Sequence, residues 1–519
     1  MVQDIFRDST IGQAINYISN GRLFPYADQR PDFKVPPQFL YPSEGKTAFS
    51  APESDATTIC GDTDKSGERI SRPGTQLTRE DTMAIDGAEE LAEKKVDDVL
   101  KSDPYTVGWY GDDDPENPRN WSPAKRAFVA FNISLLTFSV YIGSAIYTPS
   151  IPGIMADFNV TLAKATLGLT LYVLAYGIGP MFLSPLQELP KLGRNPVYMG
   201  TLLLFVIFQV PVARAQNMNT ILAFRFLTGF TIYPMHQYAY VLGIWALGAV
   251  AGPISGPVAK GWRWPQYELL WIAGFSLVFL LLLLPETYEP TILLRRAQRL
   301  RKLTGNQELR SQSERAAEGE SFAEVMKEAL TRPVHSGQGT DAIFYLWFEA
   351  FPLVFVDIYH FTLGTSGLPF LGFFVTGAIT YFVYVLYQMY HIAPRYARAY
   401  ADGKEVAPEI RLEIGLMASI FIPTSVLIFG FASKESIHWI VPVIGASLYL
   451  PGIYLCFQSI LTYITSAYPA YAASVLAGND LFRSSIASVF PLFGRTILCQ
   501  PWTLWKWGHI LRKRSQYAN

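Results

Sequence analysis

Arg225, Glu349, Asp480 and Arg483 stand inside long apolar runs of this 519-residue chain. A charge at the centre of a membrane-spanning helix costs about 2.5–3.5 kcal/mol on insertion scales, so an ionisable group there is retained for a purpose. The chemistry open to these four is proton exchange and charge pairing. Glu349 sits among Trp347, Phe348 and Phe351, a poorly solvated setting in which a carboxylate can trade its charge for a proton. Arg225 lies near the start of its apolar segment, so it either faces inward as a fixed cation or snorkels to the surface. Asp480 and Arg483 are three residues apart, the spacing of an intrahelical pair, and their plainest reading is structural. Tyr141, Tyr147, Tyr172, Tyr176, Trp347 and Phe348 are candidates to line an apolar cavity for planar compounds, although helix packing and interfacial belts account for membrane aromatics equally well. Cys60, Cys456 and Cys499 are scattered without metal-ligand spacing. No HExxH run, clustered histidines, Ser/His/Asp set or phosphate-binding glycine loop is present, so neither an enzyme nor a metal or cofactor site is expected.

The elements that must hold these groups are membrane-spanning helices. Hydrophobic residues make up 50% of the chain and charged residues 16%, against about 25% charged in a soluble protein. The net charge of −1 gives no reason to expect nucleic acid. A span needs about 20 apolar residues to cross about 30 Å of hydrocarbon. Segments of that kind run over 127–151, 163–186, 196–213, 238–258, 267–285, 367–391, 412–431, 438–462 and 469–494, with a further span at 341–361 despite Asp341, Glu349 and Asp357. The polar stretch between Tyr288 and Arg332 is rich in Arg and Lys, which marks a cytoplasmic loop. The domain reading is a cytosolic, largely disordered tail 1–125, a first bundle 126–286, a linker loop 287–339, a second bundle 340–511 and a basic cytosolic tail 512–519. Within the tail, Pro42–Ser102 has little to bury and reads as disordered. Ile11, Ile15 and Ile18 share a face of a short helix, with Thr10 and Gln13 placed as a capping box and Gly21 as a stop. That helix reads as a weak surface helix or as an interfacial one. No apolar core of a cleavable signal peptide is seen at the start, so targeting is expected to rest on the first span. Asn159-Val160-Thr161 fits a glycosylation acceptor that is expected to go unused so close to the membrane.

Twelve complete spans do not fit. The fourth segment, Thr220–Tyr233, rises only about 21 Å before Pro234, His236 and Gln237 intervene. Arg332–Asp341 is polar where the seventh span should begin, and the stretch after Arg495 is too short and polar to cross.

Gly248, Gly252 and Gly256 recur every four residues and share one helix face, which permits close approach by a neighbour. Pro253 and Pro257 delete backbone donors in the same segment. This Gly–Pro arrangement resembles the antiporter motif of the major facilitator superfamily, which lies between its two bundles. Phe182–Pro196 resembles that superfamily's loop between spans two and three, with Glu188 at the acidic position and Gly193-Arg194 as the Gly-Arg pair. A carboxylate and a guanidinium beside helix ends can hold one face shut through charge–dipole contacts. Leu222–Phe230, with Arg225 and Gly229, resembles the fourth-span motif. Asp114–Arg126, Gly261–Trp264, Leu284–Lys302, Tyr345–Phe355, Ser436–Gly445 and Tyr468–Ser485 are similar to the fungal drug:proton antiporters of the fluconazole, cycloheximide and benomyl resistance type.

The resemblance implies an all-α polytopic membrane protein of two six-helix bundles, with the fourth and twelfth spans incomplete. It implies a secondary transporter that exports drugs, toxins or secondary metabolites in exchange for protons. Arg225 and Glu349 would couple the proton, and Tyr147, Tyr172, Tyr176, Trp347 and Phe348 would line the cavity. The expected partners are a small-molecule substrate, protons and the lipid bilayer, with no nucleic acid, for a monomer in the plasma membrane or, alternatively, the vacuolar membrane. Other readings are a polyamine or organic-cation exporter, and a non-transporting paralogue that serves as sensor or scaffold, which the incomplete spans favour.

Overall fold

The computed structural model describes residues 2–19, 22–30, 33, 35, 39, 105–111, 113–231, 261–316, 340–362, 365–402, 407–467 and 472–499. The chain divides into two compact units, 1–24 with 115–291 and 319–519, and 25–114 with 292–318.

The larger unit is helical. A hairpin of α1 (Val2–Asp8) and α2 (Thr10–Ile18) precedes the spans. Span one is α3 (Pro123–Ala145), capped by Ser122 with Pro123 in the first turn, and it continues through a tight turn into α4 (Ile151–Phe158). Span two is α5 (Leu162–Glu188), capped by Thr161, and span three is α6 (Arg194–Ala213). Span four is described as α7 (Met218–Phe230), with Asn217 accepting from the Thr220 N–H at 2.8 Å as its cap. Span six is α8 (Trp264–Leu283). The helix α9 (Glu289–Thr304) and the short α10 (Gln312–Ala316) follow. In the second bundle, span seven is α11 (Thr340–Phe351), extended by a π-turn at Pro352–Val356, and span eight is α12 (Phe370–Tyr387) with α13 (Ala393–Ala401) beyond it. Span nine is α14 (Glu413–Ala432), span ten is α15 (Ile440–Ser447) with α16 (Tyr449–Ala467), and span eleven is α17 (Ala472–Cys499). Among the described residues, 7 helices are long and apolar enough to cross a membrane.

Packing follows the small residues. An added Cβ on Gly229 of α7 would collide with the Tyr172 carbonyl of α5, and one on Gly179 of α5 with the Phe230 carbonyl of α7. Reciprocal glycines thus bring spans two and four to backbone contact, as small residues do inside membranes. Span two also packs on span eleven, where Gly177 faces Ser484 and the Asp480 carbonyl. Trp271, Phe275, Phe382, Ile420 and Phe431 stay more than half exposed. That is a sensible cost only against lipid, where apolar surface needs no cover.

Two details at the N-terminus differ from the sequence expectation. The cap of α2 is Ser9, whose hydroxyl accepts from the Gly12 N–H at 3.1 Å, and Gln13 donates to the Asp8 carbonyl instead of closing a box with Thr10. The chain has already turned at Ser9 because α1 ends at Asp8. Ile18 is 80% exposed and does not share the fate of Ile11 and Ile15.

The smaller unit is built from pieces of the tail and of the linker. Strand β1 (Thr106–Val107) pairs in parallel with β2 (Arg310–Ser311). Phe39, Val107, Ala297, Leu300 and Leu309 form its core. Arg296 makes a bidentate pair with Asp114 at 2.6 and 3.1 Å, and Arg299 meets Asp28 at 2.7 Å. Arg301 pairs with Glu314 at 2.7 Å. Three of the linker's arginines, Arg296, Arg299 and Arg301, are therefore paired with carboxylates within the unit. Ordered elements thus occur at both ends of the tail expected to be largely disordered, while Pro42–Ser102 lies outside the described residues.

Candidate functional site

Arg225 in α7 is the organising residue of the first bundle. Asn217 starts the helix and the Gly229 contact presses it onto α5, so the Arg225 side chain enters the bundle rather than lipid. It is 0% exposed, which settles the snorkelling alternative. Its Nε donates to the Gly168 carbonyl at 3.1 Å and its NH1 to the Gly143 carbonyl at 2.9 Å. The guanidinium lies 4.5 Å from the Tyr147 ring centre and 4.1 Å from that of Tyr172. Both rings are fixed by their hydroxyls, Tyr147 donating to the Ala165 carbonyl at 2.9 Å and Tyr172 to the Val140 carbonyl at 2.8 Å. Charge-assisted hydrogen bonds contribute about 1.5–3 kcal/mol each, and a desolvated cation–π contact about 2 kcal/mol. Together these offset the penalty for a charge inside a span. No carboxylate meets Arg225 among the described residues, and its NH2 has no hydrogen-bond partner. The cation is caged by carbonyls and aromatic faces, a setting that favours any carboxylate or acceptor brought nearby.

Across the interface, α11 carries Glu349. It is half-buried, while Phe344, Tyr345, Trp347, Phe348 and Phe351 around it are buried. Tyr345 lies one helical turn before Glu349 and within electrostatic reach of both Arg225 and Tyr172. The π-turn at Pro352–Val356 begins three residues after Glu349, where Pro352 removes a backbone donor. Trp347 packs ring to ring with Phe351, Phe373, Phe429 and Tyr449 at 4.8–5.8 Å, and its indole N–H has no hydrogen-bond partner. Tyr141 meets Tyr176 edge to face at 5.8 Å. The six aromatics expected around a cavity are thus all buried in one continuous core.

The loop between spans two and three is organised by a residue that the sequence reading quoted but did not single out. Glu286, just past α8, accepts from the Asn195 N–H at 3.3 Å through one carboxylate oxygen and from the Thr287 and Tyr288 N–H groups through the other. Asn195 donates to the Leu284 carbonyl at 2.7 Å. A carboxylate therefore sits at the positive end of α6, donated by the end of span six. The signal available in the sequence was an acidic residue directly after an apolar run. Gly193 adopts φ +75°, and an added Cβ there would lie 2.7 Å from Glu286 Oε2. Arg194 stacks over Tyr288 at 4.9 Å, and Glu188 is the last residue of α5. Asp480 and Arg483 are buried and paired, as their spacing implies. Gly248, Gly252, Pro253, Gly256 and Pro257 lie outside the described residues. Among the described residues, no group of His, Cys, Asp and Glu could hold a metal.

Residues 133–491 match the family model of the Major Facilitator Superfamily. "Transporter mfs1" of Schizosaccharomyces pombe is 37% identical over 485 residues, covering 82% of this chain and 91% of the relative. The "Cycloheximide resistance protein" of Candida maltosa is 35% identical over 534 residues, covering 95% and 91%. "Fluconazole resistance protein 1" of Saccharomyces cerevisiae is 35% identical over 479 residues, covering 81% and 86%. The alignment with the C. maltosa protein is longer than the 519 residues of this chain while using 95% of it. That relative therefore has internal stretches with no counterpart here.

Proposed function

The chain belongs to the Major Facilitator Superfamily and is a multi-pass membrane protein of that fold, and from that premise we propose that it exports drug-like organic compounds in exchange for protons. The observation that carries this reading is the caged guanidinium of Arg225, which no carboxylate meets among the described residues. A fixed cation in a dry bundle holds any approaching carboxylate in its charged form, and a proton on that carboxylate weakens the attraction. Glu349, one turn from Tyr345 across the interface, is the carboxylate assigned to this role. Proton binding would then favour one arrangement of the two bundles over the other, which is the basis of exchange. The relatives named for cycloheximide and fluconazole resistance support organic, drug-like substrates, and the plasma membrane is the compartment that export requires. Inverted vesicles from a drug-sensitive yeast expressing the chain test the coupling. Uptake driven by an inside-acid gradient and lost on adding a protonophore is the expected result. Uptake that survives the protonophore and needs ATP would overturn it.

A second reading, a descendant that no longer transports, draws on two observations. By sequence the fourth apolar segment, Thr220–Tyr233, rises only about 21 Å before Pro234, and the C. maltosa relative carries internal stretches that this chain lacks. Tilting accommodates helices that are too long, not too short. Expressing the chain beside a version with those stretches restored from a relative separates the readings. Resistance that appears only in the restored version, at equal surface level, would support the second.

A further inference from the structure

Helix α2 of the N-terminal hairpin leaves an apolar face uncovered. Helix α2 buries Gly12 and Asn16, while Ala14, Tyr17 and Ile18, at i, i+3 and i+4, form one exposed face. Tyr17 and Ile18 are each 80% exposed, and Leu23 just beyond is 62% exposed. A surface helix in water turns its apolar stripe to the core and its polar residues outward. Here asparagine faces in, and tyrosine and isoleucine face out.

The place of the hairpin accounts for the uncovered face. Ser9 forms an antiparallel bridge with Pro285, and the Glu286 N–H donates to the Asp8 carbonyl at 3.2 Å. The Asp8 carboxylate meets Nζ of Lys125 at 3.7 Å, and Lys125, buried in the first turn of span one, lies 3.9 Å over the Trp121 ring. Phe24 returns to Phe6 edge to face at 5.4 Å and closes the hairpin. These ties fix the hairpin at the ends of spans one and six. Both α1 and α2 pack on α8 itself, not merely on the residues that follow it. A helix in contact with the end of a span lies at the height of the lipid headgroups. The outer face of α8, the span on which α2 packs, leaves Trp271, Phe275 and Val278 56%, 62% and 59% exposed, as a lipid-facing surface would. Arg22, four residues after Ile18, and Arg126, next to Lys125, are both exposed and available to anionic headgroups.

We propose that α2 lies in the bilayer interface, with Ala14, Tyr17 and Ile18 inserted at the boundary of headgroups and acyl chains. The hairpin is then a strap across spans one and six whose outer side is covered by lipid, with tyrosine suited to that depth by its apolar ring and polar tip. This inference is independent of what the protein transports.

The test uses the full chain with its three cysteines replaced by alanine, reconstituted in phospholipid nanodiscs. A nitroxide placed through Ile18→Cys is compared with one placed through Gln3→Cys, an exposed polar position of α1. Collisions with oxygen should dominate at position 18, and collisions with a water-soluble nickel chelate at position 3. Equal nickel access at both positions would overturn the proposal. So would shielding at position 18 that develops only when yeast cytosol is added, since the cover would then be a protein. In a second variant the nitroxide is carried by Tyr17→Cys beside Ile18→Asp. Nickel access should rise several-fold relative to Tyr17→Cys alone, and no change would contradict insertion.

Discussion

Arg225 illustrates how a single side chain is made tolerable in a membrane by its neighbours' backbones. Two glycine carbonyls are available to it because Gly143 and Gly168 leave room for the Tyr172 and Tyr147 hydroxyls that frame the site. Lysine cannot replace this arrangement, because its compact ammonium neither forks between two carbonyls nor stacks between two rings. Arg225→Lys and Arg225→Gln should both reach the membrane and both lower proton-driven transport by about tenfold or more. That follows from losing at least one charge-assisted hydrogen bond of about 1.5–3 kcal/mol. Initial rates at matched surface expression check this, and a wild-type rate in Arg225→Gln would remove the residue from the mechanism. Arg225 was legible in the sequence as a charge in an apolar run. Its cage of carbonyls and aromatic rings was not, since that depends on what α3 and α5 place opposite it.

Helix ends carry the next level of the design. The first turn of α6 is held by Glu286 from beyond α8, so spans three and six are joined through a carboxylate and the Asn195 side chain. Gly193 makes this possible twice over, by its positive φ and by leaving space for the carboxylate. Gly193→Ala should destabilise the protein by about 1–3 kcal/mol, the usual cost of forcing a side-chain-bearing residue into a sparsely populated backbone region. Thermal unfolding in detergent should show a lowered Tm, and Glu286→Gln, which keeps the shape, should lose less. An unchanged Tm for Gly193→Ala would mean that the loop relaxes freely. The sequence pointed to Glu188 as the acidic partner of this loop from resemblance alone. Glu286 is 91 residues from Asn195 along the chain, and local spacing contains no hint of that pairing.

For the molecule as a whole, the smaller unit constrains topology. Residues 105–114 of the tail and 292–311 of the linker share one strand pair, one apolar core and the buried Arg296–Asp114 pair. Tail and linker should therefore lie on the same side of the membrane, and the positive-inside rule predicts the cytoplasmic side. Reporter tags inserted near residue 60 and near residue 320 should both be protected in intact cells. One protected and one accessible tag would break the arrangement. Asp114→Asn leaves Arg296 buried without its carboxylate, a change that costs about 3–5 kcal/mol where a buried pair is broken. The linker of that variant should become sensitive to limited proteolysis in permeabilised cells while the spans stay intact.

Composition and apolar run length were enough to identify a polytopic helical membrane protein. Hydrocarbon leaves the backbone no other way to satisfy its hydrogen bonds, and the length of a span is read directly from the chain. Motif order along the chain was enough for the family. What required tertiary structure was every relation between residues far apart. Arg225 is caged by carbonyls from two other spans, Glu286 caps a helix through Asn195, 91 residues earlier, and Thr106–Val107 of the tail pair with Arg310–Ser311 of the linker. The same holds for α2, whose pattern of apolar residues allowed either a water-facing or a lipid-facing helix. Its anchorage beside spans one and six determines which side of the helix is left uncovered, because a periodic pattern fixes the faces of a helix but not what each face meets.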